Sequence, residues 1–215
     1  MKTLKCTSIL VITLIFFSLA CTKLPSQFFD TPSKIIIGFD QDLFSKAMAH
    51  QKKGQIESAM ALWKKFLQKY PNSFEARNNL SLLYYANDEI KKAIYQLDLA
   101  LKLEPSSGRI KKNLSRALKI QVAIYDENKE YDYAIKYFKL IAKLSPAKEQ
   151  EKIERQIEAL EDKIFEQVQK SNLMDEYLEF LKKYPRSHKN SDEARLWVEK
   201  RKQNEQIEKT EQLQF

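Results

Sequence analysis

The chain predicts an all-α fold, an α-solenoid of stacked antiparallel helix pairs ending in a C-terminal capping helix. Three observations predict it. Pro71 and Pro105 stand 34 residues apart, and the same step carries Ala59 onto Ala93, Trp63 onto Leu97 and His50 onto Tyr84. A fixed period with small, aromatic and proline positions in order marks stacked helix-turn-helix units. Only 3 glycines occur in 215 residues, and Leu, Ile, Lys and Glu dominate, a composition that favours helix. From Asp40 almost to the end, apolar residues recur at three-to-four-residue spacing, with no strand-like alternation between Asn-Gly or Asp-Gly turns.

The first element is a leader rather than part of the fold. Lys2 and Lys5 precede an uncharged apolar run from Ile9 to Phe17. That run is well short of the ~20 residues that span a bilayer as a helix, and it fits the apolar core of a signal peptide. Residues 1–20 are therefore expected to be removed. The closing Ser18-Leu19-Ala20-Cys21 resembles a bacterial lipobox, although its leucine stands two residues before the cysteine rather than three. The resemblance implies a lipoprotein in which Cys21 is acylated, with palmitate-type chains, and becomes the new N-terminus. Each buried CH₂ of such chains contributes ~0.8 kcal/mol to anchoring. Ordinary cleaved secretion and an uncleaved anchor are the alternatives. Of the two cysteines, Cys6 leaves with the leader, so the mature domain is expected to rely on its core without disulfides. Residues 21–39 read as the lipidated N-terminus and a tether. Phe28, Phe29 and Ile35-Ile36-Ile37 in it either dock on the first helices or lie against the membrane.

Four repeat-like units are expected over 40–187. In residues 40–73, helices around Leu43–Lys52 and Ile56–Lys69 flank Gly54, which supplies a left-handed turn cheaply. Ala59 permits close approach, Trp63 and Phe66 fill the seam, and Tyr70-Pro71 ends the second helix, because proline disfavours a helical residue before it. In residues 74–107, Ser73 caps the first helix with Glu75 near the positive end of its dipole. Leu80, Ser81 and Tyr84 follow on one face, Asp88 is expected to cap the second helix, and Ala93, Leu97, Ala100 and Pro105 complete the frame. These residues resemble the tetratricopeptide repeat family, whose pattern places a leucine and a small residue in the first helix and an aromatic one turn on. An alanine in the second helix and a closing proline complete it. The first unit departs from it with Lys46 and His50 at the leucine and aromatic positions.

Residues 108–148 form a longer unit. Pro146 comes 41 residues after Pro105, an excess of seven. Seven residues are about two helical turns, so the helices can lengthen without rotating their apolar face off the core; Tyr125 and Tyr131 would extend the seam. Residues 149–187 are a degenerate unit with Leu160, Ile164, Leu173, Tyr177, Phe180 and Pro185 in order. Its end, Phe180-Leu181-Lys182-Lys183-Tyr184-Pro185-Arg186-Ser187, echoes Phe66-Leu67-Gln68-Lys69-Tyr70-Pro71-Asn72-Ser73. Residues 188–215 are expected to be a capping helix and tail, shielding the last interface as repeat arrays require.

The resemblance also implies where a partner binds, since the first helices of such repeats line a concave groove. It places Phe44, Met48, Asn78, Leu82, Tyr85, Arg109, Lys112, Asn113, Arg116 and Lys119 there. Spacings of three, four and three put Arg109, Lys112, Arg116 and Lys119 on one helical face. Four like charges in a row repel one another, which points to an anionic partner as readily as to a solvated face; arginine grips carboxylates bidentately, and Asn113 suits a peptide backbone. The expected partner is a protein or peptide with acidic and apolar residues, recognised by side-chain pockets along a groove. The chaperone-type carboxylate clamp of this family is a poor match, because Phe44 and Met48 stand where it has lysine and asparagine.

Other classes find little support. The formal net charge is +8, but the basic residues are interspersed with acids along helical faces, whereas a nucleic-acid reader concentrates them. His50 and His188 are the only histidines and fall in units far apart in sequence. The sequence has no Gly-rich phosphate loop, metal-ligand spacing or nucleophile setting, so no enzyme, metal or other cofactor is expected. The expectation is a lipid-anchored adaptor of the bacterial envelope, at the outer membrane facing the periplasm, because Thr22 is not the aspartate that retains some lipoproteins at the inner membrane. It looks similar to outer-membrane assembly lipoproteins. A scaffold for cell-wall enzymes or a secretion apparatus, and a surface-displayed binder of a host ligand, are the alternatives.

Overall fold

The computed structural model describes residues 40–212. The leader, Cys21 and the tether (residues 1–39) and the last residues, Phe215 included, lie outside the described residues. Nine helices and no strand occur among those described: α1 (Gln41–Lys52), α2 (Ile56–Lys69), α3 (Phe74–Ala86), α4 (Ile90–Leu103), α5 (Gly108–Glu127), α6 (Tyr131–Leu144), α7 (Ala147–Ser171), α8 (Met174–Lys183) and α9 (His188–Gln212). Among the described residues the fold is all-α, built of antiparallel helix pairs. The chain forms two compact units that divide between Ala117 and Leu118, within α5.

In the first unit α1 packs on α2, α2 on α3 and α3 on α4. The core is aromatic at one end. Phe44 meets Trp63 edge-on at 4.8 Å and Phe66 at 5.5 Å, and Trp63 meets Phe66 at 6.0 Å. Such T-shaped contacts place positive ring edges on negative faces. Ala59, Ala76 and Ala93 are fully buried and let the helix backbones approach. The indole N–H of Trp63 donates to Gln51 Oε1 at 2.7 Å, so its one polar atom is not stranded in the core. Asp40 caps α1, its Oδ1 accepting from Leu43 N at 3.0 Å and its Oδ2 from Lys69 Nζ at 2.9 Å, which ties the start of α1 to the end of α2.

The second unit packs α6 on α7, α7 on α8, and α9 on both α8 and α7. Phe165, Tyr177 and Phe180 form its aromatic centre, with Phe165–Phe180 centroids 5.0 Å apart. Trp197 stacks flat on Tyr177 at 3.9 Å, and Ala194 and Val198 of the same helix are buried. Beyond Val198, every residue of α9 from Glu199 to Gln212 is exposed, so the packed part of this helix is its first half.

Turn chemistry corrects one expectation. Gly54 does take the left-handed conformation between α1 and α2, at φ 73°. Asp88 does not cap α4: the N-cap is Glu89, and Asp88 itself adopts φ 57°, the position Gly54 holds one unit earlier. Lys129 (φ 61°) and Asn172 (φ 55°) turn the chain between α5 and α6 and between α7 and α8. A left-handed residue at each of these turns is required to reverse the chain, and asparagine and aspartate tolerate it better than most. The Tyr125 ring stacks on Tyr133 at 5.2 Å and meets Tyr137 at 5.3 Å, and Tyr131 lies beneath Lys163 Nζ.

The seven extra residues of the third pair all enter its first helix. α5 has 20 residues against 13 in α3, while α4 and α6 both have 14. The buried positions Ile110, Asn113, Leu114, Ala117, Leu118, Gln121 and Val122 stay in phase throughout, as two added turns allow.

Candidate interaction surface

The structure sorts the ten groove candidates into core and surface. Phe44 (3% exposed) and Met48 (7%) are not groove residues. α1 buries Leu43, Phe44, Ala47, Met48 and Gln51, a stripe two residues wide that takes in both. Phe44 is held by Trp63 and Phe66, and the Met48 sulfur accepts from Asn79 Nδ2 at 3.5 Å.

α3 is buried nearly all round, with Asn78, Asn79, Leu80, Ser81, Leu82, Leu83 and Tyr84 inside. This is how a helix with neighbours on both sides behaves, and it withdraws Asn78 and Leu82 from the surface. Asn113 donates through Nδ2 to Asn78 Oδ1 at 2.9 Å, a buried amide bridge from α5 to α3. That bond orients the Asn113 side chain inward and replaces the peptide-holding role expected of it; its Oδ1 finds no hydrogen-bond partner among the described residues. Leaving one amide oxygen unsatisfied costs free energy, but a bridged pair costs far less than two buried amides without partners. Tyr85 is half-buried at the margin of the aromatic core.

The basic candidates are where a partner can reach them. Arg109, Lys112 and Arg116 are exposed on the part of α5 that belongs to the first unit. Each also makes a contact within the chain. Lys119 is exposed on the part of α5 that belongs to the second unit. Sequence reasoning missed two apolar residues in the last turns of α5: Ile120 and Ile124 are 39% and 38% exposed. Their four-residue spacing was legible, but an isoleucine pair in a helical pattern reads as core until its neighbours are known.

Among the described residues no group of three or more His, Cys, Asp or Glu is placed to hold a metal, and no helix is long and apolar enough to cross a membrane. Nothing in them points to enzymatic activity.

Residues 43–73 match the tetratricopeptide repeat family model. Among solved structures, the chain is similar to the Sgt2 TPR domain from Aspergillus fumigatus, at 19% identity and a TM-score of 0.37, covering 68% of this chain and 88% of that one. It is also similar to the MamA protein, at 18% identity and a TM-score of 0.42, covering 77% of this chain and 91% of that one. No curated protein matches. The family match falls on the pair α1–α2, where Ala59, Trp63, Phe66 and Pro71 had marked the pattern. Residues 43–73 thus match a tetratricopeptide repeat, set within an all-α array of helix pairs.

Proposed function

We propose that this chain is a lipid-anchored adaptor of the bacterial envelope that holds a partner protein through the exposed basic strip of α5. The carrying observation is the exposure of Arg109, Lys112 and Arg116 on that helix. Three cations on one face favour a segment bearing carboxylates, which arginine grips with two parallel hydrogen bonds. Tyr85, half-buried in the same unit, is the apolar candidate that remains where Phe44 and Met48 were expected to serve. Charge complementarity of this kind raises the encounter rate and selects against basic partners.

The anchor is Cys21, argued from the apolar run Ile9–Phe17 and the Ser18-Leu19-Ala20-Cys21 junction. Labelling cells with a fatty-acid analogue tests it: Cys21→Ala abolishes incorporation, and labelling that persists removes the anchor from the reading. The outer membrane, periplasmic side, is the proposed site, on the strength of Thr22 at the position after the cysteine. Protease added to intact cells should spare the domain; digestion would place it on the cell surface instead.

Within the envelope, assembly of outer-membrane proteins is the proposed setting. Crosslinking followed by mass spectrometry tests the strip and the setting together. Arg109→Glu, Lys112→Glu and Arg116→Glu combined should abolish partner recovery while leaving helicity intact, and recovery at the wild-type level would sink the α5 strip. Recovery of cell-wall enzymes or secretion components in place of outer-membrane assembly proteins would move the adaptor to those systems.

A further inference from the structure

The outer face of α6 carries a second surface, in the second unit. α6 buries Ala134, Ile135, Phe138 and Ile141 and leaves Tyr133, Lys136, Lys139, Leu140 and Lys143 exposed. Tyr133 is 54% exposed and Leu140 39%. Together with Lys183 and Tyr184 at the end of α8, this face lines an open surface pocket of about 680 Å³.

Charge is unbalanced there. Lys46, Lys102 and Lys183 each bond to the acid four residues before them, Asp42, Asp98 and Glu179. On α6 that arrangement fails at every step. Four residues before Lys136 stands Asp132, which Lys183 Nζ holds at 3.1 Å and which also accepts from the Tyr184 hydroxyl. Four before Lys139 stands Ile135, and four before Lys143 stands Lys139. Among the described residues, Lys136, Lys139 and Lys143 form no ion pair. Like charges one turn apart on a helix destabilise it, so this face costs the fold stability, and two large apolar side chains stand exposed among the cations.

We propose that this face of α6 docks an acidic segment of a partner protein, seating one apolar side chain in the pocket beside Leu140 and Tyr133 and laying carboxylates over Lys136, Lys139 and Lys143. The charge selects an anionic occupant, and Tyr133 and Leu140, exposed among the lysines, suit a segment that brings an apolar side chain together with its carboxylates. The surface is distinct from the α5 strip, and either can fail without the other.

The test is fluorescence anisotropy of the full chain with a fluorescein-labelled, Glu-rich peptide carrying one central Phe. Wild type should bind it and should not bind the counterpart with Lys in place of Glu. Lys136→Glu, Lys139→Glu and Lys143→Glu combined should weaken binding by about tenfold or more, a loss of at least ~1.4 kcal/mol, with unchanged circular dichroism. Leu140→Ala should weaken it less, and Arg109→Glu with Lys112→Glu and Arg116→Glu should leave it as in wild type. Undiminished binding by the triple α6 variant would overturn the proposal, as would equal loss in the α5 variant. So would a surface that binds phosphatidylglycerol vesicles and not the peptide.

Discussion

The ends of α2 and α8 carry nearly the same eight residues and put them to different uses. In both, the residue before proline takes the same non-helical conformation, Tyr70 at φ −127°, ψ 68° and Tyr184 at φ −126°, ψ 58°. In both, the following serine donates its N–H to that tyrosine's carbonyl, at 3.1 Å from Ser73 and 3.3 Å from Ser187. In both, an arginine of the next helix donates to the proline carbonyl: Arg77 at 2.6 Å and Arg195 at 2.7 Å. Beyond the backbone the two diverge. Lys69 reaches back to Asp40, the cap of its own hairpin, whereas Lys183 and Tyr184 reach Asp132 at the start of α6. Ser73 caps α3 through Ala76 N, whereas Ser187 N donates to Ser191 Oγ, which itself bonds Tyr184 O. Local sequence thus set the turn, and neighbours chosen by tertiary packing set what each side chain bonds.

The largest expected effect tests the cores behind these two ends. Trp63→Ala, at a position with no exposed surface, should cost about 3–5 kcal/mol in urea unfolding. Part of that is the stranding of the Gln51 amide. Phe180→Ala should cost about the same in the other region; a loss below ~1 kcal/mol in either would show that its aromatic centre does not hold that region together.

Tyr184→Phe comes next. Removing its hydroxyl leaves Asp132 with one partner, so about 1–2 kcal/mol should be lost. Burial first, then the bond to Asp132, pushes the Tyr184 phenol well above its ordinary range. A group whose pKa is raised on folding contributes stability that is complete below its unfolded pKa and is lost as pH rises through the folded value. The protein should therefore lose stability above about pH 10, and Tyr184→Phe should flatten that alkaline limb. An identical limb in the variant would assign the effect to other tyrosines.

Ser73→Ala should cost ~1 kcal/mol through loss of the α3 cap, read from the urea midpoint. The smallest effect is that of Asp40. The hydrogen bond from Lys69, then that from Leu43 N, holds its carboxyl below the usual range. A pKa lowered on folding contributes stability above the unfolded value, near pH 4, that is lost as pH falls through the folded one. Asp40→Asn should therefore blunt the acid side of the stability profile slightly; a variant more stable than wild type at neutral pH would refute the clamp.

The elements themselves were readable because their signals are local. Pro71, Pro105 and Pro185 each stop a helix through the residue before them, and Gly54 marks a turn by its backbone freedom. Asp88 is ambiguous in sequence because aspartate suits both an N-cap and a left-handed turn, and only the path of the chain chooses the turn. The site was less readable. The period put Arg109, Lys112 and Arg116 on one face, and they are exposed. The same mapping put Phe44, Met48, Asn78 and Leu82 beside them, and these are interior. Repeat patterning points to first helices and so gives no weight to the α6 lysines, although Lys136, Lys139 and Lys143 stand on one face of the sequence pattern.

By itself the sequence determined the helices, their order and the turns that pair them, since backbone preference and apolar periodicity act over a few residues. It determined that a seven-residue insertion would keep its phase, but not that α5 would take all of it. Tertiary structure decided how wide a stripe each helix buries, because that depends on how many neighbours surround it. This is why Phe44 became core, why Asn113 turned inward to Asn78, and why Ile120, Ile124 and Leu140 were left for something else to cover.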